Sequence, residues 1–301
     1  MKFLISASLL AISFWTFSSY AVVVRKDQAN MSKSEKALFK KAYLALAENG
    51  TLSEFVKIHA KMKEYKMHSL MLYPNGKIKW FPKNIERFLP WHRALLSVFE
   101  RELQKIEPDV TIPYWDWLKD REIPKWLLEL KPTGVLTAPQ KDCCDFCTVR
   151  EPIVINRFPG THPLAHHKVS RANTLRIVNS TWGYKRFTKH LEGHPFGPHN
   201  HIHLWVGGKK KGRVGTMADV TKAPADPIFW LHHSMIDRLW AIWQKNPANV
   251  NKKPNLREAE AVMAPFSKNG DEQSGFHTSE SSNDIEDLGY TYDNFKTKSW
   301  K

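Results

Sequence analysis

Apolar residues recur at helical spacing in five stretches of this 301-residue chain, and this pattern predicts a mainly α-helical fold. The predicted helices are 34–49, 52–65, 91–106, 199–206 and 232–244. The stretch 70–87 has no period and contains the turn signal Pro74-Asn75-Gly76, while 118–198 has the prolines that are typical of loops. We therefore expect a helical bundle core with long loops and little β-structure.

Residues 1–21 have the pattern of a secretory signal peptide. A basic start precedes an apolar run from Phe3 to Phe17, and Ser19-Tyr20-Ala21 fits a small-x-small cleavage site. An uncleaved membrane anchor is the alternative, but the run is short for a span and is interrupted by serines. We expect a secreted, extracellular protein with a single domain over 22–301 and no membrane-spanning segment.

The formal net charge of +15 indicates attraction to an acidic extracellular matrix, an anionic polysaccharide or a membrane surface. Its densest basic run is Lys209-Lys210-Lys211-Gly212-Arg213. We find no nucleic-acid-binding motif, and secretion also argues against such a partner. Two sequons, at Asn30 and Asn179, are candidate glycosylation sites in a secreted chain.

The three cysteines, Cys143, Cys144 and Cys147, lie close together in the sequence, and no distant cysteine exists to pair with them. An oxidising compartment favours one local disulfide and one odd thiol. The alternative is a zinc site, which would need a fourth ligand such as His162 or His166.

Candidate chemistry is concentrated in three histidines. His199 and His203 stand four residues apart, so on a helix both imidazoles point to one side, and His233 lies on a later helix. Three imidazoles from two helices form a nitrogen-rich pocket that suits copper, zinc, nickel or iron. A zinc protease would need glutamate directly after the first histidine, and Asn200 occupies that place.

Four motifs extend this interpretation. The segment 226–237 matches the pattern D-P-x-F-aromatic-x-x-H-x-x-x-D at every fixed position. Upstream lie Phe88-Leu89-Pro90-Trp91-His92-Arg93 and Pro113-Tyr114-Trp115-Asp116-Trp117, and near the end lies Gly289-Tyr290-Thr291-Tyr292-Asp293. In this order, over roughly 45–295, the motifs resemble the tyrosinases, catechol oxidases and haemocyanins, which are type-3 copper proteins.

The resemblance implies a dinuclear copper centre between helix pairs, with three histidines on each copper. The implied ligands of the second copper are His199, His203 and His233, with His232 lining the pocket and Asp237 supporting it. For the first copper, His59 and His92 match the first and third ligands. The resemblance also implies that Glu192 and Asn200 act in catalysis, by taking the proton of a phenol through a water molecule.

One position departs from the family pattern. The second ligand of the first copper usually lies nine residues before the position of His92, and Lys83 stands there. An ammonium group must lose its proton before it can bind a metal, so we expect an impaired first copper site. His68 is an alternative ligand, but it lies far out of register.

Two functions follow. The first is a secreted oxidoreductase that uses O₂ to oxidise a small phenolic or tyrosyl substrate to an o-quinone, and the intact second site favours it. The second is a non-catalytic copper-binding or extracellular matrix protein on the same scaffold, which Lys83 and the basic surface favour. A reversible O₂ carrier is a weaker third hypothesis.

Overall fold

The computed structural model describes residues 22–72, 78–138, 150–162, 169–193, 197–257, 263–266 and 278–297. The predicted signal peptide and the three cysteines lie outside the described residues, so the hypotheses about them stay predictions.

Nine α-helices are the dominant regular structure of the described residues, and the predicted mainly α-helical fold is confirmed. They are α1 (Lys33–Glu48), α2 (Thr51–Ala60), α3 (Met62–Tyr65), α4 (Phe88–Ile106), α5 (Lys125–Leu128), α6 (Arg171–Val178), α7 (Tyr184–Glu192), α8 (Pro198–Gly207) and α9 (Pro227–Gln244). Within the described residues, none of these helices has the length and apolarity to span a membrane.

Helix starts are set by caps and prolines that apolar spacing does not reveal. Helix α9 begins well before the predicted residue 232, because the Asp226 side chain accepts a hydrogen bond from the Ile228 amide (2.9 Å) and Pro227 takes the first helical position. Helix α1 begins with a capping box, in which Ser32 and Glu35 bond each other's backbone amides. These caps satisfy amides that have no partner inside the helix.

The β-structure consists of three two-stranded sheets in the described residues. The strands are β1 (Val23–Arg25), β2 (Leu70–Leu72), β3 (Ile78–Trp80), β4 (Lys209–Lys210), β5 (Arg213–Val214) and β6 (Tyr290–Tyr292). Strand β1 pairs in parallel with β6, β2 forms a hairpin with β3, and β4 forms a hairpin with β5. The parallel pair joins the N-terminal and C-terminal parts of the described chain.

An aromatic cluster fixes the helices that carry the histidines. Phe55 on α2 meets Phe99 on α4 edge to face, with ring centroids 5.1 Å apart, and meets Trp230 on α9 at 5.5 Å. All three side chains are buried. Edge-to-face contacts add to the apolar burial and restrict how the three helices can shift relative to one another.

Two buried ion pairs tie the sheet β1–β6 to the helices. Arg25 on β1 bonds Glu100 on α4 (2.8 Å), and Arg93 on α4 bonds Asp237 on α9. Arg25 and Arg93 are fully buried. Since a buried charge is stable only when it is paired, these four residues specify how the chain ends dock on the core.

Candidate metal centre

The first group of clustered histidines contains His59 on α2, His92 on α4 and His68 in the segment before β2. All three are buried, and each offers a ring nitrogen within 4.8 Å of the others. The Nε2 atoms of His59 and His68 lie 3.5 Å apart. Two nitrogens bound at about 2.0 Å to one tetrahedral metal ion would lie roughly 3.3 Å apart, so this spacing fits a shared ion.

The rings of His59 and His92 are oriented by backbone carbonyls. His59 Nδ1 donates to the Val220 oxygen (2.8 Å), and His92 Nδ1 donates to the Phe88 oxygen (2.7 Å). Each bond leaves the lone pair on Nε2, and the Nε2 atom of His92 is buried without a hydrogen-bond partner in the part of the chain that the structure describes. Histidines that bind metals usually have this second hydrogen bond, which fixes the tautomer and the ring plane.

His68 is held by side chains from outside its own segment. Its Nδ1 lies 3.4 Å from Glu192 Oε1, and Asn84 Nδ2 donates to its carbonyl oxygen (3.0 Å). Glu192 also accepts hydrogen bonds from the Ser69 amide (2.8 Å) and the Ser69 hydroxyl. The carboxylate thus anchors the loop at Ser69 and faces the His68 imidazole as well.

The structure does not place Lys83 at the metal site. Lys83 is exposed on the 3₁₀ turn Pro82–Arg87, and His68 completes the first group instead. The hairpin β2–β3 brings His68 close in space to this turn, because the Phe81 amide donates to the Ser69 oxygen (2.6 Å). The position nine residues before His92 is therefore not the one that completes this group, and the impaired first copper site stays a prediction.

The second group joins α8 to α9. His199 and His203, one helical turn apart on α8, donate through Nδ1 to the Glu192 oxygen (3.2 Å) and the Met217 oxygen (2.8 Å). The Nε2 atom of His199 is buried without a partner, as in His92. The spacing that predicted this pair therefore does place both imidazoles in one pocket.

Two histidines of α9 reach this pocket. A ring nitrogen of His232 lies within 4.8 Å of ring nitrogens of His199 and His203. Its Nε2 donates a hydrogen bond to the His199 backbone oxygen (3.1 Å). The Nε2 atom of His233 lies 3.2 Å from that of His203, close to the separation of two ligands on one ion. Each of these two histidines also has a buried Nδ1 without a hydrogen-bond partner among the described residues, so either could bind a metal ion. The family motif, rather than this geometry, selects His233.

The two groups adjoin each other. The His92 and His233 rings stack with centroids 4.5 Å apart and planes inclined by 9°. The His68 and His199 rings are 5.7 Å apart. Imidazoles of the first group thus pack directly against imidazoles of the second.

Burial favours the neutral form of five imidazoles of the two groups. Desolvation lowers the pKa of His59, His92, His199 and His233 well below the usual histidine value, and neighbouring histidines lower it further. Desolvation likewise lowers the pKa of His203 to about 4. A neutral imidazole offers a lone pair at pH 7, so the sites are ready to bind a cation that prefers nitrogen ligands, such as copper.

Glu192 and Asn200 lie at the junction of α7 and α8, next to the histidine groups. Glu192 is fully buried, and its carboxylate faces Ser69 and His68. The Asn200 amide packs directly on Gly193, where a side chain would overlap it, and its Nδ2 is buried without a hydrogen-bond partner in the described structure. A donor in this position is available to a water molecule or a substrate oxygen.

Comparisons with known proteins agree with this geometry. The family model described as the common central domain of tyrosinase matches residues 49–152 and 151–246. The chain is 32% identical over 270 residues to a tyrosinase of Streptomyces antibioticus, with coverage of 81% of this chain and 93% of that protein. The chain belongs to the tyrosinase family of type-3 copper proteins, which bind two copper ions.

Solved structures show the same fold. A tyrosinase from Burkholderia thailandensis superposes with a TM-score of 0.65 at 20% identity, over 91% of this chain and 74% of that chain. A functional unit of octopus haemocyanin superposes with a TM-score of 0.59 at 23% identity, over 91% of this chain and 69% of that chain.

Proposed function

We propose that this protein is an oxidase that uses O₂ to convert phenols or catechols to o-quinones at a complete dinuclear copper centre. The observation that carries the proposal is the pair of adjoining histidine groups, each with ring nitrogens close together and with rings of one group stacked on rings of the other. The first copper would be held by His59, His68 and His92, and the second by His199, His203 and His233. Copper supplies the exchange of electrons with O₂, one electron from each ion.

Side chains of the protein hold a copper ligand in position and provide a route for the proton of the substrate. Glu192 holds His68 in place and lies beside Asn200, whose Nδ2 can bind a water molecule or the phenolic oxygen. In this proposal the Glu192 carboxylate takes the proton that a phenol releases, as a general base. In this proposal Glu192 and Asn200 remain the catalytic pair, and Glu192 also positions a ligand.

Secretion belongs to the same proposal. It is supported by the apolar run from Phe3 to Phe17 and the cleavage pattern at Ser19-Tyr20-Ala21. The mature chain would then start near Val22. N-terminal sequencing of protein secreted by a eukaryotic host tests this, and a sequence that still includes Lys2 would contradict it.

Copper content and catechol turnover test the copper assignment. Wild type should hold two coppers per chain. His68→Ala should hold one, and its turnover should fall by about 100-fold or more, because one ion loses a ligand. Lys83→Ala is the matched control: it removes the residue at the position expected from spacing, which is exposed, and both readouts should stay at the wild-type level.

The opposite result would support the prediction from sequence spacing, in which Lys83 stands at the position of the second ligand of the first copper. If Lys83→Ala loses a copper and His68→Ala retains two, the assignment of the first site is wrong. If wild type holds two coppers but oxidises neither a simple catechol nor a simple phenol, the non-catalytic copper protein becomes the better description.

A further inference from the structure

A wide groove lies on the surface between the 3₁₀ turn Pro82–Arg87, the start of α7 and the segment 252–257. Its volume is about 930 Å³. Its base is fixed, because the Tyr184 hydroxyl bonds the Glu86 oxygen (3.3 Å) and Thr188 bonds the Ile85 oxygen (3.3 Å). None of the six proposed copper ligands lines it. We call it the basic groove.

The groove is lined by cations that have no anionic partner among the described residues. They are Lys185, Arg186, Lys189 and Lys253. The only described carboxylate in the lining is Glu86, which accepts a hydrogen bond from the Asn255 amide (2.6 Å). Some surface lysines elsewhere are paired, as Lys41 is with Glu107 at 2.5 Å. The groove therefore concentrates positive potential that the fold does not neutralise.

Tryptophan faces accompany these cations. Trp80 lines the groove, with Lys189 Nζ 5.6 Å from its ring centroid. Beside the start of α7, Trp182 has the guanidinium of Arg186 at 4.4 Å and that of Arg176 at 4.9 Å from its ring. An indole face packs against the C–H face of a pyranose ring, and adjacent cations bind sulfate or carboxylate groups on the same sugar.

We infer that the basic groove binds a segment of an anionic polysaccharide, sulfated or uronic, at a site separate from the copper centre. Three of the cations follow the exposed side of α7 at positions i, i+1 and i+4, and Lys253 faces them from the other wall. A repeating charge along a stiff sugar chain matches such a row. An acidic peptide or a lipid headgroup would match the charge but would leave the indole without a sugar ring to stack on.

The test measures binding of a heparin-derived octasaccharide to the mature, copper-loaded protein by titration calorimetry. The double variant Lys185→Gln/Lys189→Gln should weaken binding by about ten-fold and flatten its dependence on salt. Lys209→Gln/Lys210→Gln, on the hairpin β4–β5, is the matched control, because it removes the same charge from another exposed site. It should change affinity by less than about two-fold. Trp80→Leu should weaken binding without changing the salt dependence.

Copper content and melting temperature must match those of wild type in each variant, which separates loss of binding from loss of fold. Equal losses in the two lysine pairs would overturn the inference, since attraction would then follow net charge alone. Unchanged affinity in the groove variant would overturn it too. Equal or tighter binding of poly-glutamate or of phosphatidylserine vesicles at the groove would replace the polysaccharide with an acidic protein or a membrane.

Discussion

Replacement of Asp237 by asparagine should destabilise the protein more than any surface change. The Asp237 carboxylate is buried on α9 and bonds the Arg93 guanidinium, and it accepts hydrogen bonds from the hydroxyls of Tyr290 and Tyr292 (2.6 Å each). Arg25 lies 3.7 Å away. Asparagine has the same shape but no charge. Its amide N–H group would also face the hydroxyl and guanidinium groups that now donate hydrogen bonds to the carboxylate.

The size of the effect follows from the charge balance. Arg25 and Arg93 are balanced by Glu100 and Asp237, so the variant leaves one uncompensated positive charge in the core. Removal of one partner of a buried ion pair costs about 3–5 kcal/mol. Tyr292→Phe removes only one hydrogen bond to a charged group, so it should cost about 1.5–3 kcal/mol.

Urea denaturation followed by tryptophan fluorescence measures these differences. Glu102→Gln is the control: it neutralises a carboxylate that pairs with an exposed lysine, Lys105, and should cost less than about 1 kcal/mol. The reasoning would be refuted if Asp237→Asn cost less than about 1 kcal/mol, or no more than the control, because the buried network would then contribute little to the fold.

Three further predictions concern local structure and the metal. Gly208→Ala should cost more than about 2 kcal/mol in the same assay, because Gly208 has a φ of +66° and a methyl group would overlap the Phe158 carbonyl. Ser32→Ala removes the cap of α1 and should cost about 1 kcal/mol; an unchanged urea midpoint would contradict that role. Removal of copper with a chelator should lower the melting temperature by roughly 5–10 °C. The reference is protein with free copper at about 100 times the dissociation constant. Adding copper back should restore the melting temperature.

Local sequence patterns determined some of the helices and part of the site. They missed α5, α6 and α7, which lie in the stretch 118–198 that was predicted as loops. The apolar stripe of 34–49 predicts α1 to within a residue at each end, since contacts three and four residues apart follow directly from the chain. The prediction that His199 and His203 share one pocket rests on the same local spacing. Helical spacing alone directs both rings to one side of α8, whatever the rest of the fold does.

Only the tertiary structure decided how the first histidine group is completed. His68 lies outside any helix, and a hairpin without a hydrophobic period brings it to His59 and His92. Lys83 stands at the expected position in sequence but points to solvent.

The family motif had already chosen His233 over His232 as a ligand. The contact between Ser69 and Glu192, which lie 123 residues apart, required three-dimensional geometry. The physical reason is the separation along the sequence between the residues that make contact. Helices are specified by neighbours within one turn, whereas a loop ligand is held by side chains whose proximity exists only after the whole chain has packed.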